Sequence, residues 1–348
     1  MASNDATQPS QPESTTRTIL VTGATGKQGR SFISAVLSTG AAIDIRILAL
    51  TRSSKSPAAY ALAASDRVTL VEADLDKPDT VRKVFEDSKS NGDGIWGVFL
   101  VLAYPGLGID STGEERQGKL IVDLSKEFAV QHLMYSSSER GDEVYDETPI
   151  LSKTAKVQIE RHMKSLDGLR WTILRPTLFM ENFDGFVGRI TAAVFRAGLK
   201  QDTKLQLVST DDIGHVALAI FLSPGPDTYI GQAIPVIGDA LTMKEIAESY
   251  ERGAGKTLPG IPGPIARVML AMNKNVKDLL AGIEQRSSYR TSFESTDPKS
   301  NEALIARCLT LYPAMSSVEA WARRRGVREQ QTKRWNNVSL WDLVRGKL

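Results

Sequence analysis

The stretch Thr18–Arg30, TILVTGATGKQGR, places a short apolar strand directly before a glycine-rich turn and the start of a helix. Within it, Gly23, Gly26 and Gly29 recur every third residue. This spacing suits a chain that must turn tightly, let a pyrophosphate approach its backbone, and pack a helix against the preceding strand. The free amide groups at the helix start then face the anion. The stretch therefore predicts a phosphate-binding turn between a strand and a helix.

The residues on both sides of the turn favour this interpretation over an ordinary tight turn, which the glycines alone leave open. Residues 19–21 are apolar and supply the strand. The predicted helix repeats its apolar side chains on one face, at Phe32, Ile33, Val36 and Leu37. The spacing of the apolar residues thus changes from that of a strand to that of a helix, which is typical of a βα unit.

A basic loop follows the second predicted strand, Ile45–Leu50, at the sequence TRSSK of residues 51–55. A protein that prefers NAD usually places an acidic residue there, to bond the ribose hydroxyls. Here Arg52 can stack on adenine and hold a 2′-phosphate through its planar fork, and Lys55 adds a second positive charge. The loop therefore predicts NADP as the cofactor, with a solvated basic loop as the alternative.

Composition excludes several function classes. The 348 residues carry a formal net charge of +2, which gives no strong field for binding nucleic acid or an anionic membrane. The single cysteine, Cys308, and the absence of metal-ligand spacing favour a reducing compartment without structural zinc. Residues 1–16 are polar and lack the apolar run of a signal peptide, so we expect a disordered tail. No stretch reaches the length of a membrane span. We expect a cytoplasmic protein, with the nucleus as the alternative location.

Strand and helix patterns alternate along the first half of the chain. The further predicted strands are Val68–Glu72, Gly97–Leu102, His132–Ser136 and Trp171–Leu174. This alternation predicts an α/β fold, a Rossmann-type doubly wound parallel sheet with a smaller, mainly helical C-terminal lobe. The predicted organisation is a tail at 1–16, an NADP-binding domain at 17–180, a substrate or partner lobe at 181–327 from which some strands return to the sheet, and a basic tail at 328–348.

Ligands of such folds gather at the carboxyl ends of the parallel strands. That rule marks Asp74 and Leu75, after the third strand, and Ala103 and Tyr104, after the fourth, as walls of the cofactor site. Asp74 can equally serve as a turn cap before Pro78, and Tyr104 can simply pack.

The C-terminal segment Arg323–Arg334 is basic and is followed by Trp335 and Trp341. Such a run can bind nucleic acid or a protein. The balanced overall charge favours a solvated helix end instead, so we expect no direct binding of nucleic acid.

Several motifs together resemble the NmrA-like family, whose members are atypical short-chain dehydrogenases. They are GATGKQG (23–29), LTRS (50–53), EERQGK (114–119), SK (152–153) and LRPTLFMENF (174–183), and the similarity runs from about Thr18 to Arg325. The resemblance implies NADP contacts at Gly23, Ala24, Thr25, Gly26, Lys27, Gln28, Gly29, Arg52, Ser53, Ser54, Lys55, Ser56, Asp74, Leu75, Leu102, Ala103, Tyr104, Arg116, Lys153, Phe179, Met180, Glu181 and Asn182. The alternative for Glu181 and Asn182 is a helix cap.

The catalytic tyrosine of typical short-chain dehydrogenases is missing. That tyrosine stands four residues before the active-site lysine, so that the ammonium lowers its pKa. Four residues before Lys153 the chain has Pro149, and none of its tyrosines has a lysine four residues later. Related reductases that resemble isoflavone reductases use a lysine for proton transfer instead. By that resemblance Lys153 and Ser137 are the candidate catalytic residues, with a solvent-facing lysine and an ordinary serine-rich loop as the alternatives.

Two functions are compatible with these features. The first is an NADP-dependent oxidoreductase that acts on a small apolar organic substrate under the helical lobe. The second is a non-catalytic NADP(H) redox sensor that binds a regulatory protein such as a transcription factor, as the family's regulatory members imply. Retention of Lys153 and the strand-end serines favours the enzyme slightly, whereas the missing tyrosine favours the sensor. The oligomeric state is left open.

Overall fold

A computed structural model describes residues 16–40, 44–92, 94–106, 108–141, 146, 151–225 and 227–329. At residues 151–153 and 326–329 it describes the backbone alone. Apart from residues 16, 328 and 329, the two predicted tails therefore lie outside the described residues.

Ten strands are present in the described part of the chain. They are β1 (Arg17–Val21), β2 (Ile45–Thr51), β3 (Val68–Glu72), β4 (Gly97–Leu100), β5 (His132–Ser136), β6 (Trp171–Pro176), β7 (Leu178–Phe179), β8 (Leu205–Val208), β9 (Gln232–Val236) and β10 (Asp239–Leu241). Seven of them form one parallel sheet in the order β3-β2-β1-β4-β5-β6-β9. The order reverses between β1 and β4, the place at which doubly wound sheets open a ligand crevice.

Twelve α-helices and the short 3-10 helix Met180–Phe183 accompany the strands in the described ranges. The α-helices are α1 (Lys27–Ser38), α2 (Pro57–Leu62), α3 (Pro78–Ser90), α4 (Thr112–Glu127), α5 (Leu151–Ser165), α6 (Gly185–Gly198), α7 (Thr210–Phe221), α8 (Met243–Ala254), α9 (Gly263–Met272), α10 (Lys274–Thr291), α11 (Asn301–Leu311) and α12 (Val318–Glu329). Helices α1 and α7 cover one face of the large sheet, and α3, α4 and α5 cover the other. Because both faces are covered, the central strand β4 is apolar and all four of its residues are buried.

The C-terminal lobe has its own core. It is built from the small sheet β10-β8-β7 and from helices α6, α8, α9, α10 and α12. Three elements of the 181–327 segment lie with the large sheet instead, because β9 pairs with β6, α7 packs on the sheet beside α1, and α11 packs against α7 and β9. No helix in the described ranges combines the length and the apolarity needed to cross a bilayer. The predicted Rossmann-type sheet with a mainly helical lobe is confirmed.

The buried histidine at the start of β5 should make stability depend on pH. His132 is 5% exposed, and its Nε2 lies 2.8 Å from the Thr172 hydroxyl. Burial, assisted by the charge of Arg170, lowers the pKa of His132 from 6.5 to about 4. The unfolded chain therefore takes up this proton at a higher pH than the folded chain. The contribution of His132 to the free energy of unfolding is complete above pH 6.5. It should be lost as the pH falls through that value towards 4.

We predict a loss of about 3 kcal/mol in the free energy of unfolding across that window. Urea unfolding at a series of pH values measures it, with His132→Gln as the matched variant that lacks the titrating group. The variant should show a flatter profile, and identical profiles for the two proteins would contradict this assignment.

Candidate functional site

The glycine-rich turn after β1 has a geometry that only glycine allows at two positions. Gly23 has a φ of +56°, in the left-handed region, and a Cβ added there would lie 2.9 Å from the carbonyl oxygen of Val101. A Cβ on Gly29 would lie 2.4 Å from the carbonyl oxygen of Gly23. The first and third glycines therefore let α1 begin directly against the turn. The middle glycine, Gly26, closes the turn by donating its N–H to the Gly23 carbonyl at 2.9 Å.

The start of α1 presents unpaired amides at this turn. The residue before the helix, Gly26, has no capping side chain, and the first helical turn contains no acidic residue. The first N–H groups of a helix have no intrahelical acceptor and carry the positive end of the helix dipole. Ala24 is buried beneath the turn, whereas Lys27 is exposed. The turn thus has the shape and the polarity of an anion cradle.

Thr22 joins the turn to the neighbouring strand and was not singled out from the sequence. Its hydroxyl donates to the Val101 carbonyl and accepts from the Val101 N–H, both at 2.8 Å. The side chain is completely buried. This two-way bond holds the carboxyl ends of β1 and β4 at a fixed separation where the crevice opens.

The basic loop after β2 keeps two cations exposed. Both the N–H and the hydroxyl of Ser54 donate to the Glu72 carboxylate, at 3.1 and 2.8 Å, and these bonds hold the pKa of Glu72 below its ordinary value. The Ser56 hydroxyl caps α2. Arg52 and Lys55 are exposed and make no ion pair with any described residue. The serines therefore shape the loop, and the two cations remain available to a ligand.

A cavity of about 370 Å³ opens where β4, β5 and β6 end. The lobe supplies its other wall through β8 and α10. Five predicted cofactor residues line it, namely Gln28, Leu102, Tyr104, Phe179 and Asn182. Much of the wall is apolar, contributed by Pro176, Leu178, Leu205, Leu279 and Ile283. A cavity of this size with an apolar wall and a few polar groups is typical of a small-molecule site.

The strand-end serines have specific partners. Ser136 donates its hydroxyl hydrogen to the side-chain oxygen of Gln28 at 2.6 Å, which connects the end of β5 to the glycine turn. Ser137 lines the cavity, but it donates to a Glu160 carboxylate oxygen at 2.5 Å. Its proton is therefore engaged by the protein, and in this arrangement it is not directed at a substrate oxygen.

Glu160 belongs to a buried group of charges beneath the cavity. Arg140 donates to it at 2.7 Å and Arg175 at 2.6 Å, and Asp146 pairs with Arg140 at 2.7 Å. Burial alone would raise the pKa of Glu160, but the bonds and charges of the two arginines outweigh it and bring this pKa to about 2. Two cations and two anions thus form a balanced cluster that fixes the ends of β5 and β6.

Two lysines line the cavity, Lys156 and Lys204, and Lys156 is the more buried of the two. The Lys156 Nζ makes a short ion pair with Glu114 of α4, and the two side chains are only 12% and 1% exposed. The side chain of the predicted catalytic residue Lys153, one helical turn earlier, lies outside the described residues. Four residues before Lys156 stands Ser152, so the tyrosine of typical short-chain dehydrogenases is missing for this lysine as well.

The sequence indicates that the face of α5 that carries Lys156 points inwards, but it does not separate Lys156 from Lys153. Glu160 and Met163 follow Lys156 at the fourth and seventh positions, so all three share one helix face. Met163 is completely buried in the core beneath the sheet. An apolar residue at that spacing indicates that the face points inwards. Val157, which is also buried, and Glu160 follow Lys153 at the same two spacings.

Two of the predicted cofactor residues lie away from the cavity. The Glu181 carboxylate accepts from the Ser209 hydroxyl and the Thr210 N–H, both at 3.1 Å, at the start of α7. It lines a separate cleft of about 340 Å³ with Lys27. The cap interpretation of Glu181 accounts for these bonds. Met180 is completely buried in the lobe core, so only its backbone can face a ligand.

The residues predicted near the third strand also have local partners. A carboxylate oxygen of Asp74 accepts from the N–H of Asp76 at 3.1 Å, as a turn cap would. Arg116 is largely exposed and pairs with Asp76 at 2.7 Å, and Leu75 packs against the core. Ala103 is exposed at the mouth of the crevice. The structure does not bring these residues to the cavity wall.

Comparison with known proteins settles the family. The family model described as "NmrA-like family" matches residues 15–322. The chain belongs to the NmrA-like family. The resemblance noted in the sequence motifs is confirmed.

Individual relatives share the fold over most of their length. The chain is 26% identical over 341 residues to the NmrA-like family domain-containing oxidoreductase ptmS of Penicillium ochrochloron, covering 89% of this chain and 98% of that one. The solved structure of NmrA, a negative transcriptional regulator, in complex with NADP has a TM-score of 0.66 and 20% identity, covering 90% and 97%. Triphenylmethane reductase of Citrobacter sp., complexed with NADP(H), has a TM-score of 0.60 and 17% identity, covering 89% and 99%.

Proposed function

We propose that this NmrA-like protein is an NADP(H)-dependent oxidoreductase that acts on a small organic molecule with a largely apolar body. The observation that carries the proposal is the hydrogen bond between Gln28 and Ser136. It joins the glycine turn to the wall of the cavity, so that one ligand can extend from the cradle into the space beside Lys156.

The residues present fit NADP. The amides after Gly26 would hold the pyrophosphate, because the turn leaves no room for a side chain at Gly23 or Gly29. Arg52 and Lys55 would hold the 2′-phosphate, since both are exposed and neither makes an ion pair with a described residue. The NADP and NADP(H) in the two solved neighbours support this choice. When bound, the reduced cofactor supplies a hydride.

Lys156 is the candidate catalytic residue for proton transfer. An ammonium on the cavity wall can donate a proton to a substrate oxygen on which negative charge develops. Glu114 fixes the position of this ammonium by its ion pair. The apolar wall keeps water away from the reacting atoms, which strengthens every electrostatic interaction there. This arrangement supports reduction of a carbonyl or an activated double bond without the missing tyrosine.

A redox sensor is the second candidate. The missing tyrosine and the engagement of Ser137 by Glu160 favour it, and so does the similarity to NmrA, a negative transcriptional regulator. In that case NADP(H) would bind in the same cradle, and the protein would bind another protein rather than convert a substrate.

The basic loop should determine whether the protein binds NADP⁺ more tightly than NAD⁺. Replacing Arg52 by Asp removes the proposed partner of the 2′-phosphate and supplies a carboxylate that repels it. We expect NADP⁺ to bind at least about tenfold more weakly to Arg52→Asp, with little loss for NAD⁺. Calorimetric titration of both dinucleotides measures this, and Lys89→Asp, on the distant end of α3, is the charge-matched control. Unchanged binding of NADP⁺ would exclude Arg52 from the cofactor site.

Turnover should depend on Lys156. We expect Lys156→Met to lower kcat for NADPH oxidation by at least about 100-fold, while the Kd for NADPH stays close to that of the wild type. The assay follows NADPH absorbance with a panel of aldehydes, ketones, quinones and enoates, and exposed Lys164→Met on the same helix is the control. Activity that survives in Lys156→Met would contradict the assignment. Tight NADPH binding without turnover of any compound by the wild type would favour the sensor.

A further inference from the structure

Helix α10 brings two arginines to one carboxylate. Arg286 and Arg290 stand four residues apart and therefore share a helix face. Arg290 makes a short ion pair with Glu139 and donates to the Lys299 carbonyl at 3.0 Å and the Gly141 carbonyl at 2.8 Å. The same Glu139 oxygen also accepts from the Gly141 N–H at 3.1 Å. Protein groups thus bind both terminal nitrogens of Arg290, whereas its Nε is buried without a hydrogen-bond partner.

Arg286 has a different environment. It lines the cavity, and its guanidinium makes no hydrogen bond or ion pair with any residue in the described ranges. Its side chain is partly buried and borders the cavity. Burial lowers the pKa of Arg286 from its ordinary value, and the charge of Glu139 opposes this change. A guanidinium keeps its proton in proteins, so the group is a cation at neutral pH.

The other charges around the cavity are balanced. Lys156 pairs with Glu114, and the four charges around Glu160 cancel. Lys204 lies 3.9 Å from Glu302 at the exposed rim. After these pairs are formed, the wall retains one positive charge, that of Arg286. The carboxylate whose charge acts on it, Glu139, is already paired with Arg290, so a ligand anion would supply the missing counter-ion of a partly buried charge.

We infer that Arg286 binds the carboxylate of the substrate, and that the substrate is a small organic acid with an apolar body. The inference rests on the proposed function in placing substrate and cofactor in one cavity. The planar fork of a guanidinium matches a carboxylate through two parallel hydrogen bonds. Leu279 and Ile283, one or two turns before Arg286 on α10, and Leu205 on β8 provide the apolar surface for the rest of the molecule. The residues that select the substrate then belong to the lobe, whereas the anion cradle belongs to the large sheet.

The experiment uses matched pairs of probes that differ only in charge. Benzoate, 2-naphthoate and octanoate are each compared with their methyl esters, and ligand-observed NMR titration of the full chain gives the Kd, with and without saturating NADP⁺. For at least one pair we expect the acid to bind about tenfold or more tightly than its ester. In Arg286→Leu this preference should fall to about one, and in Arg286→Lys part of it should remain.

Lys274→Leu is the control, because it removes one exposed charge from the start of the same helix. It should keep the acid preference, and the Kd of NADP⁺ should be unchanged in all three variants. Equal binding of acid and ester by the wild type in every pair, or a preference that persists in Arg286→Leu, would overturn the inference. These results are distinct from failure of the proposed function, which would appear as absent NADP⁺ binding or turnover while the acid preference is retained.

Discussion

The close approach of α1 to the turn after β1 is the constraint on which the rest of the site depends. The space at Gly29 admits no side chain, since a Cβ would lie 2.4 Å from the Gly23 carbonyl oxygen. The helix can therefore begin at the carboxyl edge of the sheet with its free amides turned to the crevice. The same approach places Gln28 within reach of Ser136 at the end of β5. This backbone contact in one βα unit thus fixes the position of the anion cradle relative to the cavity.

The ion pairs within the protein determine which charged side chains remain available to ligands. Beneath the cavity, Glu160 is satisfied by two arginines, and on its wall Glu114 is paired with Lys156. Such buried pairs are a weak source of net stability, but breaking one is costly, so they fix the walls in one arrangement. Of the guanidiniums described above, Arg52 in the loop after β2 and Arg286 on α10 make no ion pair with a described residue. In our account Arg52 binds the 2′-phosphate of the cofactor, and Arg286 binds the carboxylate of the substrate.

The large sheet was predictable because its signals are local. Apolar runs between turn residues gave β3 and β5 their observed bounds. The lobe was less predictable, since α10 mixes polar and apolar residues, and its buried face is set by packing against β8 and α6. Side-chain roles were the least predictable. Local sequence could not show that Glu160 would accept the hydrogen bond of Ser137, that Glu181 would bond to the start of α7, or that Lys156 would face the cavity, because each depends on a residue far away in the chain.

A crystal structure of the chain with NADP⁺ tests the central claim most directly. The account predicts the pyrophosphate on the amides after Gly26, the 2′-phosphate beside Arg52, and the nicotinamide ring in the cavity between Gln28 and Lys156, with open space left towards Arg286. A nicotinamide ring outside the cavity, or a protein side chain that fills the space beside it, would contradict the account.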